Sequence, residues 1–142
     1  MKLVEVQDYD LLLRFEFLRQ EAFNIKNLNP EESFYYNRIK NKQSIAYALF
    51  YNDDLIGGIV LSCGAIINAL IIECIFIKNS YQRQGLGTKL LEYIVKNKKK
   101  ELEKYFNSTF TRCYAEPSKG KDDFYRKSGY KESSIGYMRK KI

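Results

Sequence analysis

The segment from Ile71 to Gly87 constrains the fold of this chain more than any other part of its sequence. Ile71–Ile77 is almost continuously apolar, a pattern typical of a strand that is buried on both faces of a sheet. A polar loop with two glycines, Lys78–Gly87, follows, and apolar residues then recur at i, i+4, as in an amphipathic helix. A buried strand, a glycine-rich loop and a helix in this order predict an α/β fold.

The other segments predict strands and helices that complete one domain over residues 1–142, with no repeat or linker to divide it. Six stretches are expected to be strands: Leu3–Val6, Ile45–Tyr51, Leu55–Leu61, Ile71–Ile77, Thr109–Ala115 and part of Tyr130–Arg139. Helices are expected from Asp8 or Asp10, with Leu11, Phe15, Leu18, Ala22 and Ile25 on one buried face, from Asn29, from Leu86, and over Asp122–Lys127. The order of strands and helices in the first half of the chain favours antiparallel pairing of its strands.

Three short patterns predict particular backbone features. Asn29-Pro30 followed by Glu32 is typical of a helix start, with Asn29 as the N-cap and Pro30 in the first helical position. Within the expected hairpin, Gly57-Gly58 indicates a bulge or the close approach of another backbone. Gly129 is placed to end the last short helix.

Composition removes several classes of site. The chain has no histidine, which excludes histidine triads, histidine general bases and most catalytic zinc sites. Three scattered cysteines, Cys63, Cys74 and Cys113, favour reduced, buried thiols and a cytoplasmic location over a disulfide framework. The longest apolar run is too short and too polar for a membrane span, so we expect no membrane partner.

The formal net charge of +7 admits nucleic acid or a phosphate-rich ligand as a partner. The excess is concentrated in Lys96–Lys100 and Arg139–Lys141, which we interpret as a solvated helix end and a charged tail. A nucleic-acid-binding domain would need aromatic residues interleaved on base-facing strands, or a recognition helix. The lysines crowd one helix end instead, so the sequence disfavours nucleic acid as a partner.

The loop Gln82–Gly87 is suited to hold phosphate oxygens. Its two glycines let backbone N–H groups face a concavity, and the following helix adds the positive end of its dipole. Thr88 can add a hydroxyl and Arg83 a positive charge. The segment is neither a Rossmann fingerprint, since Leu90 occupies the third glycine position, nor a P-loop, since the upstream glycine is missing. An ordinary glycine-rich turn remains an alternative at this point.

Two segments of the chain carry a resemblance to a known family. Gln82-Arg83-Gln84-Gly85-Leu86-Gly87 resembles the acetyl-CoA-binding motif of the GNAT acetyltransferases, Q/R-x-x-G-x-G/A. Further along, Phe124–Tyr130 resembles the second signature of this family, FYxKxGF, and the order of elements is similar over nearly the whole chain. The chain departs from the family pattern at Ser118 and Lys121, where many members carry Asn and Ala.

The resemblance implies the GNAT fold, a central mixed, mostly antiparallel sheet of about six or seven strands flanked by about four helices. It also implies acetyl-CoA as co-substrate, without a metal. A bulge in the fourth strand would free backbone N–H groups for the pantetheine and the thioester oxygen. The implied contacts are the backbone of Ile75, Phe76 and Ile77, and the loop residues Gln82, Arg83, Gln84, Gly85, Leu86, Gly87 and Thr88.

The implied reaction is direct attack of a primary amine on the thioester in a ternary complex, which needs a base and an acid. Glu73 is the only carboxylate in its apolar strand, and some members of the family use a Glu at this place as the base, often through water. Tyr125 matches the tyrosine that protonates the leaving thiolate. A structural ion pair or a solvated strand edge for Glu73, and a packing role for Tyr125, are the alternatives. An acyl-enzyme at Cys74 is disfavoured because no histidine can activate the thiol.

The sequence leaves the acceptor open. A small-molecule or peptide amine is expected, and the candidates include a protein N-terminus, a lysine, a polyamine, an amino acid and an aminoglycoside. Glu31, Glu32, Asp53 and Asp54 lie in segments that could border an acidic acceptor pocket. A CoA-binding module without catalysis is the alternative function, but the presence of Tyr125 and Glu73 favours an enzyme. A homodimer is compatible with the resemblance, although no segment indicates an interface.

Overall fold

The computed structural model describes residues 1–26, 28–118 and 120–142. Within these residues there are five α-helices: α1 (Tyr9–Ala22), α2 (Phe34–Lys40), α3 (Leu86–Asn97), α4 (Lys99–Phe106) and α5 (Asp122–Lys127). There are also seven strands: β1 (Lys2–Glu5), β2 (Ile45–Tyr51), β3 (Asp54–Gly64), β4 (Ala69–Ile77), β5 (Arg112–Ala115), β6 (Lys131–Glu132) and β7 (Met138–Lys141). The strands form a mixed sheet in the order β1-β2-β3-β4-β5-β7-β6, in which β4 and β5 are parallel neighbours. The predicted α/β class and mixed, mostly antiparallel sheet are confirmed.

The chain divides into two compact units, and β3 and β4 contribute residues to both. The first unit comprises Met1–Leu61 and Cys74–Gly87, and the second comprises Ser62–Glu73 and Thr88–Ile142. The core of the first unit joins α1 and α2 to one face of its strands, through Val6, Leu11, Leu12, Phe15, Leu18, Tyr36, Ile39, Ala46, Ala48, Leu55, Val60, Cys74 and Phe76.

The first helix begins as the sequence predicts. The Asp8 carboxylate accepts a 2.8 Å hydrogen bond from the backbone N–H of Leu11 and so caps α1. Leu11, Phe15 and Leu18 are buried, as expected, and Ala22 is half-buried. Ile25 was expected on the same face but is exposed, because α1 ends at Ala22 and Asn24 adopts a positive φ of 56° that turns the chain away.

The second helix begins later than its capping pattern predicts. Asn29 does accept a hydrogen bond from the Glu31 N–H at 3.1 Å, but Pro30–Glu32 forms only a 3-10 turn. Ser33 then takes an extended conformation and its hydroxyl accepts a bond from the Tyr36 N–H at 3.3 Å. The serine is therefore a second N-cap, and α2 starts at the residue after it.

The β2–β3 hairpin contains both features that its paired glycines predict. The register passes from Leu49 opposite Gly57 to Phe50 opposite Leu55, so Ile56 is the extra residue of a bulge. A Cβ atom on Gly57 would lie 2.6 Å from the backbone oxygen of Phe76. This close approach of two backbones explains why the position holds glycine. β3 extends to Gly64, beyond the predicted end.

The buried strand β4 is covered completely on one face only, which corrects the expectation from its apolar run. Phe76 packs edge-on against Phe15 of α1, with ring centroids 5.0 Å apart. The run is apolar on both faces, but the second face is only half-buried. The buried set is Ile72, Cys74 and Phe76, and the half-buried set is Ile71, Glu73, Ile75 and Ile77.

The second unit contains α3, α4 and α5 with strands β5, β6 and β7. The predicted face of α3 is buried at Leu90, Leu91 and Ile94, and α5 covers the predicted residues. Gly129 ends α5 with a φ of 88° and donates its N–H to the Arg126 oxygen at 3.0 Å, as predicted. β5 is shorter than expected, and α4, which begins at Lys99, was not predicted.

Candidate active site

The loop between β4 and α3 has a backbone that is open to a ligand. Arg83 and Gly85 take positive φ angles of 65° and 76°, which turns successive N–H groups of the loop out of a regular ladder. A Cβ atom on Gly85 would meet nothing within 4 Å. α3 starts at Leu86, and its first turn, all of it within the described residues, carries no acidic side chain. The loop therefore presents free space and the positive end of a helix dipole to an anion.

The side chain of Gln82 holds this loop against the end of β4. Its amide nitrogen donates to the backbone oxygen of Ile77 at 2.8 Å and to the side-chain oxygen of Asn79 at 3.0 Å. Sequence reasoning placed Gln82 among the ligand contacts and missed this role. The only sequence feature that could have indicated this role is the amide donor of the side chain at the first position of the motif.

The end of β4 has backbone groups that are not used by β5. Pairing of the two strands covers Ala69–Ile72 and Arg112–Ala115, and β4 continues to Ile77. The Lys78 N–H donates to the Ile56 oxygen of β3 at 2.7 Å. Since successive N–H groups of a strand point to opposite edges, those of Ile75 and Ile77 point away from β3. Of the three predicted backbone donors, this alternation favours Ile75 and Ile77 over Phe76.

Glu73 lies in the second unit, on the half-buried face of β4. Two residues before it on the same face, Ile71 pairs with Tyr114 of β5. The face that carries this carboxylate is partly open to solvent. A half-exposed carboxylate can exchange protons with water or with a bound amine.

Tyr125 lies on α5 and is only 4% exposed. Its ring packs edge-on against Phe124 and Tyr130, with centroid separations of 5.0 and 5.6 Å. These contacts fix the position of the phenol within the second unit. Of the remaining predicted contacts, Gln84 is exposed in the loop, and Gly87 and Thr88 are half-buried in the first turn of α3.

Among the described residues the three cysteines form no disulfide bond. Cys74 of β4 and Cys113 of β5 are buried, whereas Cys63 is half-buried. Burial raises the pKa of Cys113 to about 12, outweighing the effect of the nearby Tyr130 hydroxyl. A thiol with so high a pKa is protonated and unreactive at neutral pH.

Three of the acidic residues named for a possible acceptor pocket have different neighbours in the structure. Glu31 accepts a 2.6 Å hydrogen bond from the Tyr9 hydroxyl, which raises the pKa of Tyr9 to about 12. Asp54 lies 3.4 Å from the ammonium nitrogen of Lys78. Asp53 lines a cleft of about 610 Å³ in the first unit, together with Asp8, Asp10, Arg14 and Phe50. Glu31 and Asp54 are thus each paired with another side chain, whereas Asp53 shares a cleft with two further aspartates.

Two further features, a membrane-spanning helix and a cluster of metal ligands, are absent from the described ranges. No helix among them is long and apolar enough to cross a bilayer. Nor do any three His, Cys, Asp or Glu side chains of residues 1–26, 28–118 and 120–142 cluster so that they could hold a metal ion.

Comparison with known proteins identifies the family. The profile of the acetyltransferase (GNAT) domain matches residues 42–132. This chain belongs to the GNAT acetyltransferase family. The GNAT match runs from just before β2 to the end of β6, so it includes every residue that the sequence predicts for catalysis and for acetyl-CoA binding. No curated protein sequence matches the chain.

Solved structures with the same fold cover the whole chain at low sequence identity. GCN5 from Tetrahymena has a TM-score of 0.74 and 12% identity, covering 100% of this chain and 96% of its own. The PaiA N-acetyltransferase from Thermoplasma acidophilum, solved in complex with coenzyme A, has a TM-score of 0.70 and 18% identity, covering 100% of both chains. The aminoglycoside 6′-N-acetyltransferase from Enterococcus faecium has a TM-score of 0.73 and 17% identity, covering 99% of this chain and 97% of its own. At these identities the likeness is one of fold.

Proposed function

We propose that residues 1–142 form a single acetyltransferase domain that transfers the acetyl group of acetyl-CoA to a primary amine. The observation that carries this proposal is the open loop at Arg83–Gly85, which leads directly into the N-terminus of α3 in a chain of the GNAT family. Such a loop fits the phosphates of CoA, because backbone N–H groups and a helix dipole together bind phosphate oxygens. Solved GNAT relatives with coenzyme A or acetyl-CoA bound support the same ligand.

The loop and the end of β4 would divide the binding of acetyl-CoA between them. The backbone of Gln84, Gly85, Leu86, Gly87 and Thr88 contacts the pyrophosphate, with Arg83 adding a positive charge. Gln82 keeps the loop in place from behind through Ile77. The N–H groups of Ile75 and Ile77 bind the pantetheine arm and the thioester oxygen.

The chemistry requires the amine to lose two protons and the leaving thiolate to gain one. An alkylammonium ion has a pKa of about 10, so it must lose a proton before it can attack. Glu73 accepts this proton, directly or through water, and the free amine attacks the thioester carbonyl. The backbone donors stabilise the oxyanion as it forms. When the carbon–sulfur bond breaks, Tyr125 donates a proton to the CoA thiolate, and the second proton of the attacking nitrogen passes through solvent to the Tyr125 phenolate. The acceptor is a small-molecule or peptide amine, and the aminoglycoside relative makes aminoglycosides one class to screen.

Calorimetric titration of acetyl-CoA and CoA into the purified chain tests the proposal. We expect saturable binding by the wild type and its loss in Gly87→Trp, which places a large side chain in the first turn of α3, directly after the loop. Lys89→Trp is a matched control, because it adds the same side chain at an exposed position of the same helix. Absence of binding at millimolar ligand, or equal binding by both variants, would overturn the proposal. Amines are then screened by the release of free thiol.

A further inference from the structure

The strands β5, β7 and β6 of the second unit collect basic side chains on one face. Arg112 lies opposite Lys141, and Arg139 lies opposite both Tyr114 and Lys131. Residues directly opposite each other on neighbouring strands point to the same face of a sheet. The five residues therefore form one surface, which we call the basic face: Arg112, Tyr114, Lys131, Arg139 and Lys141.

The other face of the same strands is a structural core. Cys113, Ala115 and Met138 point there and are buried. Lys140 also points there, and its ammonium donates a 2.7 Å hydrogen bond to the Ser128 backbone oxygen. Glu132, which lies opposite Met138, is on this side too. Glu132 is thus directed away from the basic face. Lys140 is directed away from it too, and its ammonium is hydrogen-bonded on the core side.

The basic face is exposed and its cations are close together. Arg112, Lys131, Arg139 and Lys141 are exposed, whereas Tyr114 is 6% exposed. The side chains of Arg139 and Arg112 lie near the Tyr114 hydroxyl and lower the pKa of Tyr114. Neighbouring strands are about 5 Å apart and alternate residues of one strand about 7 Å apart, which sets the spacing of the four charges.

This arrangement costs stability in the absence of a ligand. Like charges directly opposite each other destabilise a sheet. Two such pairs occur here, Arg112 with Lys141 and Lys131 with Arg139, within four strand positions. An anion with several charges would relieve the repulsion in both pairs at once.

We infer that the basic face binds the phosphate backbone of a nucleic acid. Several cations on a flat surface suit a polyanion with regularly spaced charges, and arginine planes can also stack on unpaired bases. The face supplies what the Lys96–Lys100 segment lacks, two arginines on neighbouring strands, Arg112 and Arg139. An anionic membrane is the competing ligand, since Ile66 and Ile67 before β4 are 99% and 45% exposed and Ile135, between β6 and β7, is 67% exposed. These isoleucines lie in two separate turns and not along one face of an amphipathic α-helix, so charge favours nucleic acid.

Salt-dependent binding of a fluorescein-labelled oligouridine, followed by anisotropy with excess CoA present, tests the inference. Four phosphate contacts at a slope of about −0.7 each predict a loss of affinity of roughly 50-fold between about 50 and 200 mM salt. Arg112→Gln with Arg139→Gln should reduce the slope by about 1.4. Lys131→Gln with Lys141→Gln should do the same while leaving both arginines beside Tyr114 in place. Lys96→Gln with Lys100→Gln removes the same charge elsewhere and should leave the slope unchanged.

Each result decides the inference. A reduced slope in both face variants, with the control unchanged, supports it. It is overturned if the wild type does not bind the oligonucleotide, or if the Lys96 and Lys100 variant loses as much affinity as the face variants. It is also overturned if the face variants lose binding only to phosphatidylserine vesicles. Because CoA binding is measured separately, none of these results depends on the proposed acetyltransferase activity.

Discussion

The amide nitrogen of Gln82 lies 2.8 Å from the backbone oxygen of Ile77. This bond joins the end of β4 to the loop that precedes α3, and the same amide reaches Asn79 at 3.0 Å. Gln82 is exposed, so its side chain contributes little to the core. Its effect is to hold the loop in one conformation before a ligand arrives, which lowers the entropy cost of binding.

Replacing Gln82 by alanine should weaken acetyl-CoA binding without unfolding the protein. The loss of a net hydrogen-bond contribution of about 1 kcal/mol corresponds to a dissociation constant roughly fivefold higher. Calorimetry measures this change, and thermal melting should show nearly the wild-type midpoint. Gln84→Ala, at an exposed position of the same loop, is the control and should bind as the wild type does. Complete loss of binding in Gln82→Ala would instead indicate direct contact with the ligand.

Gly57→Ala should destabilise the first unit. The new Cβ would lie 2.6 Å from the Phe76 oxygen and 2.8 Å from the Ile77 side chain, and a backbone oxygen cannot move aside cheaply. Overpacking of this kind costs about 1–3 kcal/mol in the free energy of unfolding, which urea titration measures. Gly64→Ala is the matched control, because its nearest neighbours are side-chain atoms of Ile67 and Ile71 at 3.2 Å. Equal stability of the two variants would contradict the argument.

Local signals in the sequence were sufficient for most of the fold. Asp8, Gly129 and the Gly57-Gly58 pair each act through short-range geometry, a side-chain cap, a positive φ or a close backbone contact, and each was predicted correctly. The start of α2 was wrong because two N-cap residues, Asn29 and Ser33, lie within one turn. Which of them begins the α-helix depends on how the chain packs, and the capping pattern alone does not contain that information.

The sequence did not show which charged side chains are buried together or how the strands pair. Arg19 donates two hydrogen bonds to Glu16, at 2.6 and 2.9 Å, and its guanidinium lies 4.6 Å from the ring of Tyr35 on α2. Glu16 is fully buried, yet a Glu and an Arg three residues apart are equally typical of a solvated helix surface. For the site, the motif indicated the loop residues, whereas the strand pairing that separates Ile75 and Ile77 from Phe76 required the structure.

Stability should fall at alkaline pH partly through Cys113. Burial raises the pKa of this thiol from 9.0 to about 12, so the folded state retains a proton that the unfolded state releases. The contribution is therefore complete below pH 9 and is lost as the pH rises toward 12, at about 1.4 kcal/mol per pH unit. Urea titrations between these limits should show a shallower decline for Cys113→Ser than for the wild type. Parallel slopes, or labelling of the native Cys113 by iodoacetamide, would contradict the prediction.

Glu73→Gln should reduce kcat/KM at neutral pH, and the defect should shrink as the pH rises. A general base contributes about 10²–10⁴-fold, but only while the acceptor amine is protonated. Near the amine pKa of about 10 much of the acceptor is already deprotonated and needs no base. Free-thiol release across the pH range measures this with any amine that the screen identifies. A deficit that is the same at every pH would assign Glu73 a structural role.

Tyr125→Phe should lower kcat by about 10²-fold or more while leaving the affinity for acetyl-CoA unchanged. The ring is retained, so its edge-on contacts with Phe124 and Tyr130 persist and the fold is preserved. Only the hydroxyl that would protonate the leaving thiolate is removed. Tyr130→Phe is the matched control, since that ring is buried in the same cluster and should keep its kcat. If both variants turn over at the wild-type rate, Tyr125 is a packing residue and the thiolate leaves without its proton. If both lose activity together, the cluster acts through packing, because a direct proton donor affects the rate at one position only.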